Sequence, residues 1–494
     1  MSNIKPLFTG SEWDFELLNR AMDECGIIAK DELKLNCYTN QIEVITSEQM
    51  LDAYASIGLP VMYKHWSFGK KFSREMENYR SGKNGLAYEI VLNTQPCIAY
   101  LMEENTACTQ VLVIAHAAYG HNHVFKNNYL FRQWTDAESI VDYLVFAKNY
   151  MMQCEEKYGE EAVEQTLNAA HSLMHNGIDR YKRPRKLSMS EEKLKQKERT
   201  EYLESSVNSL WSSLLKPKAI KTDQADEKFP VQPEENILYF LEKNSPILAP
   251  WQREILRIVR KLAQYFYPQG QTKMLNEGWA SFTHYYIMNR LYDKGLLTDG
   301  AMLEFVKMHT GVVFQPAYDS PYYSGLNPYY VGFEMFNDIK RICENPTVED
   351  RELFPNIVDQ PWVDVCLDVV ANYRDESMVR QFLSPTLVRK LGLFKLSDDK
   401  KEETYLIDAI QDREGFKQIR SSLATHYEAN EWHPKIEIVD ANIKGDRTLI
   451  LMYNKDRGRA ISDNWKLTLQ HIRFLWGHKV KLITKLGNTI GECS

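Results

Sequence analysis

The sequence predicts an α+β protein: a predominantly helical core domain with a few strands, plus a small C-terminal α+β module. Three observations predict it. Apolar residues recur at helical spacing through 136–156, 159–176, 236–266, 273–294 and 362–391. Strand signals are few before the last hundred residues, which then alternate short β-branched runs with helical ones. A hydrophobic content of 44% with 12% aromatic residues supplies a large core and argues against disorder.

In chain order, 11–58 reads as helices around a short extended piece, with Thr46 and Gln49 spaced as a capping box. Residues 86–92 read as a strand. Pro96 is placed to open a helix, and apolar residues continue to Tyr119, where Gly120 is a helix stop. Gly177 closes the second of two further helices. From Arg180 to Arg199 nine basic residues meet three acidic ones, and the stretch to about 235 stays charged and proline-containing, as a solvated linker would. After 236–266 and 273–294 comes a loop rich in Pro, Gly and Tyr, 314–330, that leads into a helix at 332–343. The C-terminal module has a helix at 414–426, strands at 435–439 and 448–453, a helix at 462–476 and a final strand at 480–484. These changes divide the chain at 1–183, 184–235, 236–400 and 401–494.

At 494 residues more than one unit is expected. The net charge of −7 carries no signal for nucleic acid. The eight cysteines form no Cys-x-x-Cys pair, which leaves a zinc ribbon or thioredoxin-type site unsupported and suits a reducing compartment. There is neither a signal-peptide pattern nor an eighteen-residue apolar window, so a cytoplasmic location without a transmembrane segment is expected.

The chemistry concentrates in two segments. "AHAAYGHNH", 115–123, holds His116, His121 and His123. If the helix stops at Gly120, His116 lies in its last turn while His121 and His123 follow in extended chain. On a continuing α-helix His116 and His121 would stand about 140° apart. Metal binding, acid–base work and a helix-dipole role for histidine all fit this pattern. "MLNEGWASFTHYY", 274–286, places Glu277 and His284 about two turns apart on one stripe, with the small Ala280 and Ser281 between them. Leu275, Trp279, Phe282 and Tyr286 form the opposite, core-facing side. Two histidines from one segment with a glutamate and a histidine from the other make a mixed N/O set suited to a divalent transition metal, zinc first. No HExxH is present. The Asn-Glu-Gly-Trp-Ala stretch is similar to the second-helix segment of gluzincin peptidases, in which the glutamate is a metal ligand. His171 and His175 share a helix face but also occupy a last turn, and His65 lies among aromatics.

Together, "MYKHWSFGK", "AYEIVLNTQPCIAYLMEEN", "IAHAAYGHN", "GIDRYKRP", "LNEGWASFTHYY", "SGLNPYYVGFEMFNDI" and "RDESMVRQFLSP" resemble the SpoVR family, named for stage V sporulation protein R. The similarity runs from about residue 8 to the C-terminus. The resemblance implies a link to the spore cortex, a peptidoglycan layer. It also implies a stress-response setting, with a serine protein kinase and a protein bearing a von Willebrand-type domain as partners. The family positions carried over are His65, His116, His121, His171, Glu277 and His284; His123 and His175 do not match. Two functions follow as expectations. One is a metal-dependent hydrolase of an amide bond in a peptidoglycan-type peptide or precursor, with His116, His121 and one or both of Glu277 and His284 as ligands, Glu104, or Glu277 where it is not a ligand, activating water, and Tyr285 at the oxyanion. The other is a non-catalytic adaptor of the kinase module, its histidines held in a buried polar network.

Overall fold

The computed structural model describes residues 5–55, 61–67, 89–182, 228–397, 406–409, 413–428, 433–458, 460–462 and 464–493, with 70, 72–74, 77 and 194 besides. The chain is α+β, as expected. It packs as two compact units, Met1–Asn149 with Tyr265–Ala429, and Tyr150–Gln264 with Asn430–Ser494. Each unit therefore joins stretches far apart in sequence, where composition drew consecutive segments. Charge and proline mark where the chain changes character, not which parts touch. The charged stretch 184–235 lies mostly outside the described residues.

In the first unit, α1 (Phe15–Asp31) starts on Asp14, whose carboxylate accepts the Leu17 N–H. β1 (Asn40–Ile45) is followed by α2 (Ser47–Ala55), and the Thr46–Gln49 capping box forms in both directions. β2 (Glu89–Leu92) and β3 (Cys97–Met102) complete a three-stranded sheet of order β1-β3-β2, with β3 parallel to β1 and antiparallel to β2. Pro96 thus precedes a strand rather than opening a helix. Pairing on both sides of 97–102 overrides the apolar run that read as helical, because a central strand is apolar on both faces too. The helix begins only at α3 (Ala107–Val113), where Thr106 Oγ1 accepts the Thr109 N–H.

After α3 come a π-helix (Ile114–His121), α4 (Asn122–Asn127), α5 (Tyr129–Trp134) and the start of α6 (Ile140–Tyr158). The unit resumes at the end of a long helix (Pro250–Gln271) whose earlier part belongs to the second unit. For chain-order labels, α7 is Glu160–Ser172, α8 is Ile237–Asn244 and α9 is this long helix.

α10 (Lys273–Asp293) is the axis of the first unit. It packs against the π-helix on one side and, on another, against α12 (Pro328–Glu344), which follows α11 (Asp299–Val312). Trp279 and Phe282 are buried on its expected core face, but Ala280, Ser281 and His284 are buried as well. Burying Trp279 completely stabilises the unit by roughly 2–3 kcal/mol before entropy. Its two tight crossings rest on glycine. A Cβ on Gly278 would lie 2.4 Å from Gly332 Cα of α12, and one on Gly120 would lie 2.6 Å from Ala280 Cα. The first turn of α10 is anchored by Asp375, at the start of the helix Asp375–Phe382. Its two oxygens accept the Met274 and Leu275 N–H groups at 2.9 and 2.8 Å.

β4 (Lys395–Ser397) and β5 (Leu406–Ala409) pair antiparallel in the first unit. In the second unit, β6 (Pro434–Asp440), β7 (Leu449–Gly458), β8 (Val480–Thr484) and β9 (Thr489–Cys493) make one sheet in sequence order. β7 and β8 are parallel and are joined by a helix, Trp465–Trp476, as a parallel pair requires. The expected final strand, 480–484, is followed by one more, β9, antiparallel to it. All eight cysteines are free. Among the described residues no helix is long and apolar enough to cross a membrane.

Candidate metal centre

The chain does not break at Gly120. It passes from α3 through the π-helix into α4 without leaving helical geometry, so the expected helix stop and the extended His121–His123 segment are both corrected. His116 and His121 are five residues apart. A π turn, bonded i to i+5, is wider, so such residues come round toward one face, where an α-helix would set them about 140° apart. Their rings meet edge to face, with centroids 4.6 Å apart. The alanines at 115, 117 and 118 and Gly120 are all buried, and small side chains let this wider turn lie close to α10.

Two carboxylates face the pair. Glu277 of α10 brings Oε2 to 3.5 Å from His121 Nε2 and 3.9 Å from His116 Nε2. Glu89, the first residue of β2, brings Oε1 to 3.3 Å from His116 Nε2. One ligand-type atom from each of Glu89, His116 and His121 falls within 4.8 Å of the others. Glu89 Oε2 and Glu277 Oε2 are buried without a hydrogen-bond partner. Leaving a buried acceptor unpaired costs about 1–3 kcal/mol, and more for a charged one. Tyr329, at the start of α12, hydrogen-bonds Glu277 and lies parallel to the His116 ring, with centroids 6.5 Å apart.

Burial and charge pull these groups apart. Burial pushes the Glu89 carboxyl up to about 7, His116 working against the rise and Glu277 adding to it. For Glu277 burial also raises, but His121, His116 and Tyr329 outweigh it and hold the carboxyl below its ordinary value. Burial disfavours a charged His116, yet Glu89 and Glu277, helped by the Ala280 carbonyl, keep it above the ordinary imidazole value. His121 falls to about 4, mainly through burial. Without a cation, the cluster offsets its two carboxylates with shared protons.

Behind each histidine stands an orienting group. His121 Nδ1 lies 3.0 Å from Asn276 Oδ1. That oxygen only accepts, so His121 carries its proton on Nδ1 and turns a bare Nε2 toward Glu277. His116 Nδ1 lies 2.8 Å from His284 Nδ1, and His284 Nε2 lies 2.8 Å from His309 Nδ1. His284 was expected as a ligand. With both nitrogens engaged by other imidazoles, it stands behind His116 instead, and burial holds it well below its ordinary value.

The structure thus brings His116, His121, Glu277 and His284 together. It does not bring the other candidates there. Glu104 is exposed and accepts the Ser47 N–H at the start of α2. Tyr285 packs on His309 and Phe305, beside the imidazole chain. His65 pairs with Ser67 Oγ at 2.6 Å and lies against Trp66. His171 ends α7 in the second unit, where His175 stacks on His433 at 4.0 Å. His123 is a core residue: its Nδ1 accepts the Asn36 N–H, and its ring lies against Trp279.

Sequence reasoning missed Glu89, Asn276, His309 and Tyr329. Glu89 left a signal, a lone carboxylate inside the apolar run 86–92. Asn276 adjoins Glu277, and Tyr329 closes the Tyr-rich loop. His309 left none, since nothing local distinguishes it from any helical histidine.

No solved structure matches the chain. An uncharacterized protein of Escherichia coli (strain K12), YcgB, is 52% identical over 476 residues, covering 96% of this chain and 93% of that protein. The model of the SpoVR-like proteins matches residues 12–432, and that of the SpoVR-like C-terminal domain matches 434–487. With both regions matched in order over nearly its whole length, the chain belongs to the SpoVR family.

Proposed function

We propose that His116, His121 and Glu277 hold a divalent transition metal with Glu89 beside them as general base, and that the chain is a metal-dependent hydrolase of an amide bond. The observation that carries this reading is a pair of buried carboxylates, each with one unpartnered oxygen, that approach two imidazole Nε2 atoms at 3.3 and 3.5 Å. A dication would balance two carboxylates without the shared protons. Two imidazoles with one carboxylate suit zinc, with iron as the other common occupant of such sets. A metal held there supplies Lewis acidity, polarising a carbonyl and making water acidic near neutral pH.

The residues divide the remaining work by their environments. Glu277, held below its ordinary value, is the anionic ligand. Glu89, pushed up to about 7, is matched to taking a proton from water and returning it to the leaving amine. Tyr329 takes the place expected for Tyr285 as hydroxyl donor to the oxyanion, because it lies against His116 and Glu277. The family's link to the spore cortex supplies the substrate class, a peptidoglycan-type peptide or its precursor.

The test combines metal analysis of the purified chain with hydrolysis of a cross-link-type peptide by wild type and Glu89→Gln. One equivalent of tightly bound metal, with turnover about 10²–10⁴-fold lower in the variant, is expected for a lost general base. A chain that takes up no zinc or iron and folds unchanged overturns the reading. It would favour the adaptor role beside a serine protein kinase, with the cluster as a buried polar network.

A further inference from the structure

The three imidazoles behind the cluster form one chain: His116 Nδ1 to His284 Nδ1 at 2.8 Å, then His284 Nε2 to His309 Nδ1 at 2.8 Å. Each link joins two nitrogens, so each needs one proton on one side and a lone pair on the other. With His116 neutral, as a metal ligand must be, and His284 and His309 neutral as well, each of the three rings carries one N–H. Fixing the proton on any one ring therefore fixes it on all three.

Only two arrangements exist. In the outward one, His116 donates from Nδ1, His284 donates from Nε2, and His309 accepts at Nδ1 and keeps its proton on Nε2. In the inward one, His309 and His284 both donate from Nδ1, and His116 receives at Nδ1 and carries its proton on Nε2. The second puts a hydrogen on the nitrogen that faces Glu89 and Glu277. The first leaves that nitrogen free for a cation.

Resting on the metal reading above, we propose that His309 is a positioning residue for the centre: acting through His284, it fixes the tautomer of His116 and so sets the affinity for the metal. Its surroundings suit the task. His309 is 5% exposed, and its ring is boxed by Tyr285, Phe305 and Phe333 at centroid distances of 4.8, 5.8 and 4.8 Å. That box holds the imidazole in place. His284 is fully buried, and Phe305 meets its ring edge to face. Neither His284 nor His309 need become charged, and no proton is lost between them: the chain only takes one direction or the other. Histidine ligands elsewhere are oriented by a carboxylate or a carbonyl. Here a second and a third imidazole do it, and they carry the constraint from α10 to α11.

The experiment uses the full chain and zinc ions as probe, with zinc affinity by competition against a chelator and ¹⁵N NMR of labelled histidine. With zinc bound, His309 is expected as the Nε2–H tautomer. His309→Phe, which leaves His284 Nε2 without an acceptor, is expected to weaken zinc binding by about 10–100-fold. His309→Gln, whose amide oxygen can accept the same proton, restores affinity to within a few fold. Zinc binding with His309 as the Nδ1–H tautomer, or unchanged affinity in His309→Phe, overturns the positioning role and leaves the metal centre standing. A wild-type chain that binds neither zinc nor iron overturns both. A purely structural role would lower thermal stability in His309→Phe without changing zinc affinity in the folded protein, and that outcome also overturns the proposal.

Discussion

Two histidine pairs in this chain look alike in the sequence and end differently. His171 and His175 have the four-residue spacing that an α-helix puts on one face. His116 and His121 have a five-residue spacing that an α-helix would separate. Yet α7 ends at Ser172, so His175 falls on a 3₁₀ turn and stacks on His433, with its side chain exposed. The five-residue pair lies on a π-helix, is buried, and faces two carboxylates. Spacing has meaning only together with the backbone that carries it. What separates a centre from a surface pair here is the arrival of Glu89 and Glu277 from other elements.

The comparison breaks most sharply at the ligands. His121→Ala should lower zinc affinity by more than about 100-fold, since orienting partners alone are worth 10–100-fold. His175→Ala should leave it unchanged. Chelator competition on the two variants reads both. A loss in His175→Ala with none in His121→Ala would mean that the tight site lies in the second unit.

Next comes the backbone. In Gly120→Ala the new methyl group would sit 2.6 Å from Ala280 Cα, and backbone cannot yield cheaply. A loss of about 1–3 kcal/mol is expected from overpacking, with weaker metal binding as the π turn shifts. Gly311, in α11, has open space around a built Cβ. Gly311→Ala should be neutral or stabilise by up to about 1 kcal/mol. Urea melts of the two variants check this, and equal stability would remove the tight crossing as the reason for glycine at 120.

Much of this was legible beforehand, for identifiable reasons. α10 was readable because its apolar stripe is long and Glu277 and His284 interrupt it at helical spacing. The capping box at Thr46 and the β8 strand were readable because their signals are local. The π-helix was not, since nothing in Ala115–His121 distinguishes a widened turn from a broken one. Gly120 was read as a stop, although its role is close approach to Ala280. Glu89 was hidden because a two-residue change of strand register would carry it elsewhere. The strand at 97–102 is misread from sequence because an apolar run has no period to show when side chains on both faces are covered.

A smaller effect sits at the orienting amide. Asn276→Ala removes the acceptor at His121 Nδ1 and lets that ring take either tautomer. A drop in zinc affinity of about 10-fold is expected, at the low end for such partners. Asn276→Asp should restore it, because a carboxylate accepts the same proton. Loss in both would point to the amide nitrogen instead.

The finest distinction is the sign of the pH response in metal-free protein. His175 is lowered by burial, so the fold favours its neutral form. Its contribution is present above the unfolded value near 6.5 and is lost as pH falls. His116 is raised, its carboxylate neighbours outweighing burial. Its contribution is present below 6.5 and is lost as pH rises through the raised value. His175→Gln should therefore lose most, relative to wild type, at pH 8 and least at pH 5. His116→Gln should show the opposite trend. For the exposed His175 the swing should stay below about 0.5 kcal/mol after solvent screening. The buried His116 should give the larger one. Urea midpoints of both variants and wild type at pH 5 and 8, with chelator present, measure the two trends side by side. If both run in the same direction, Glu89 and Glu277 do not govern the charge of His116, and the first pair would be no different in kind from the second.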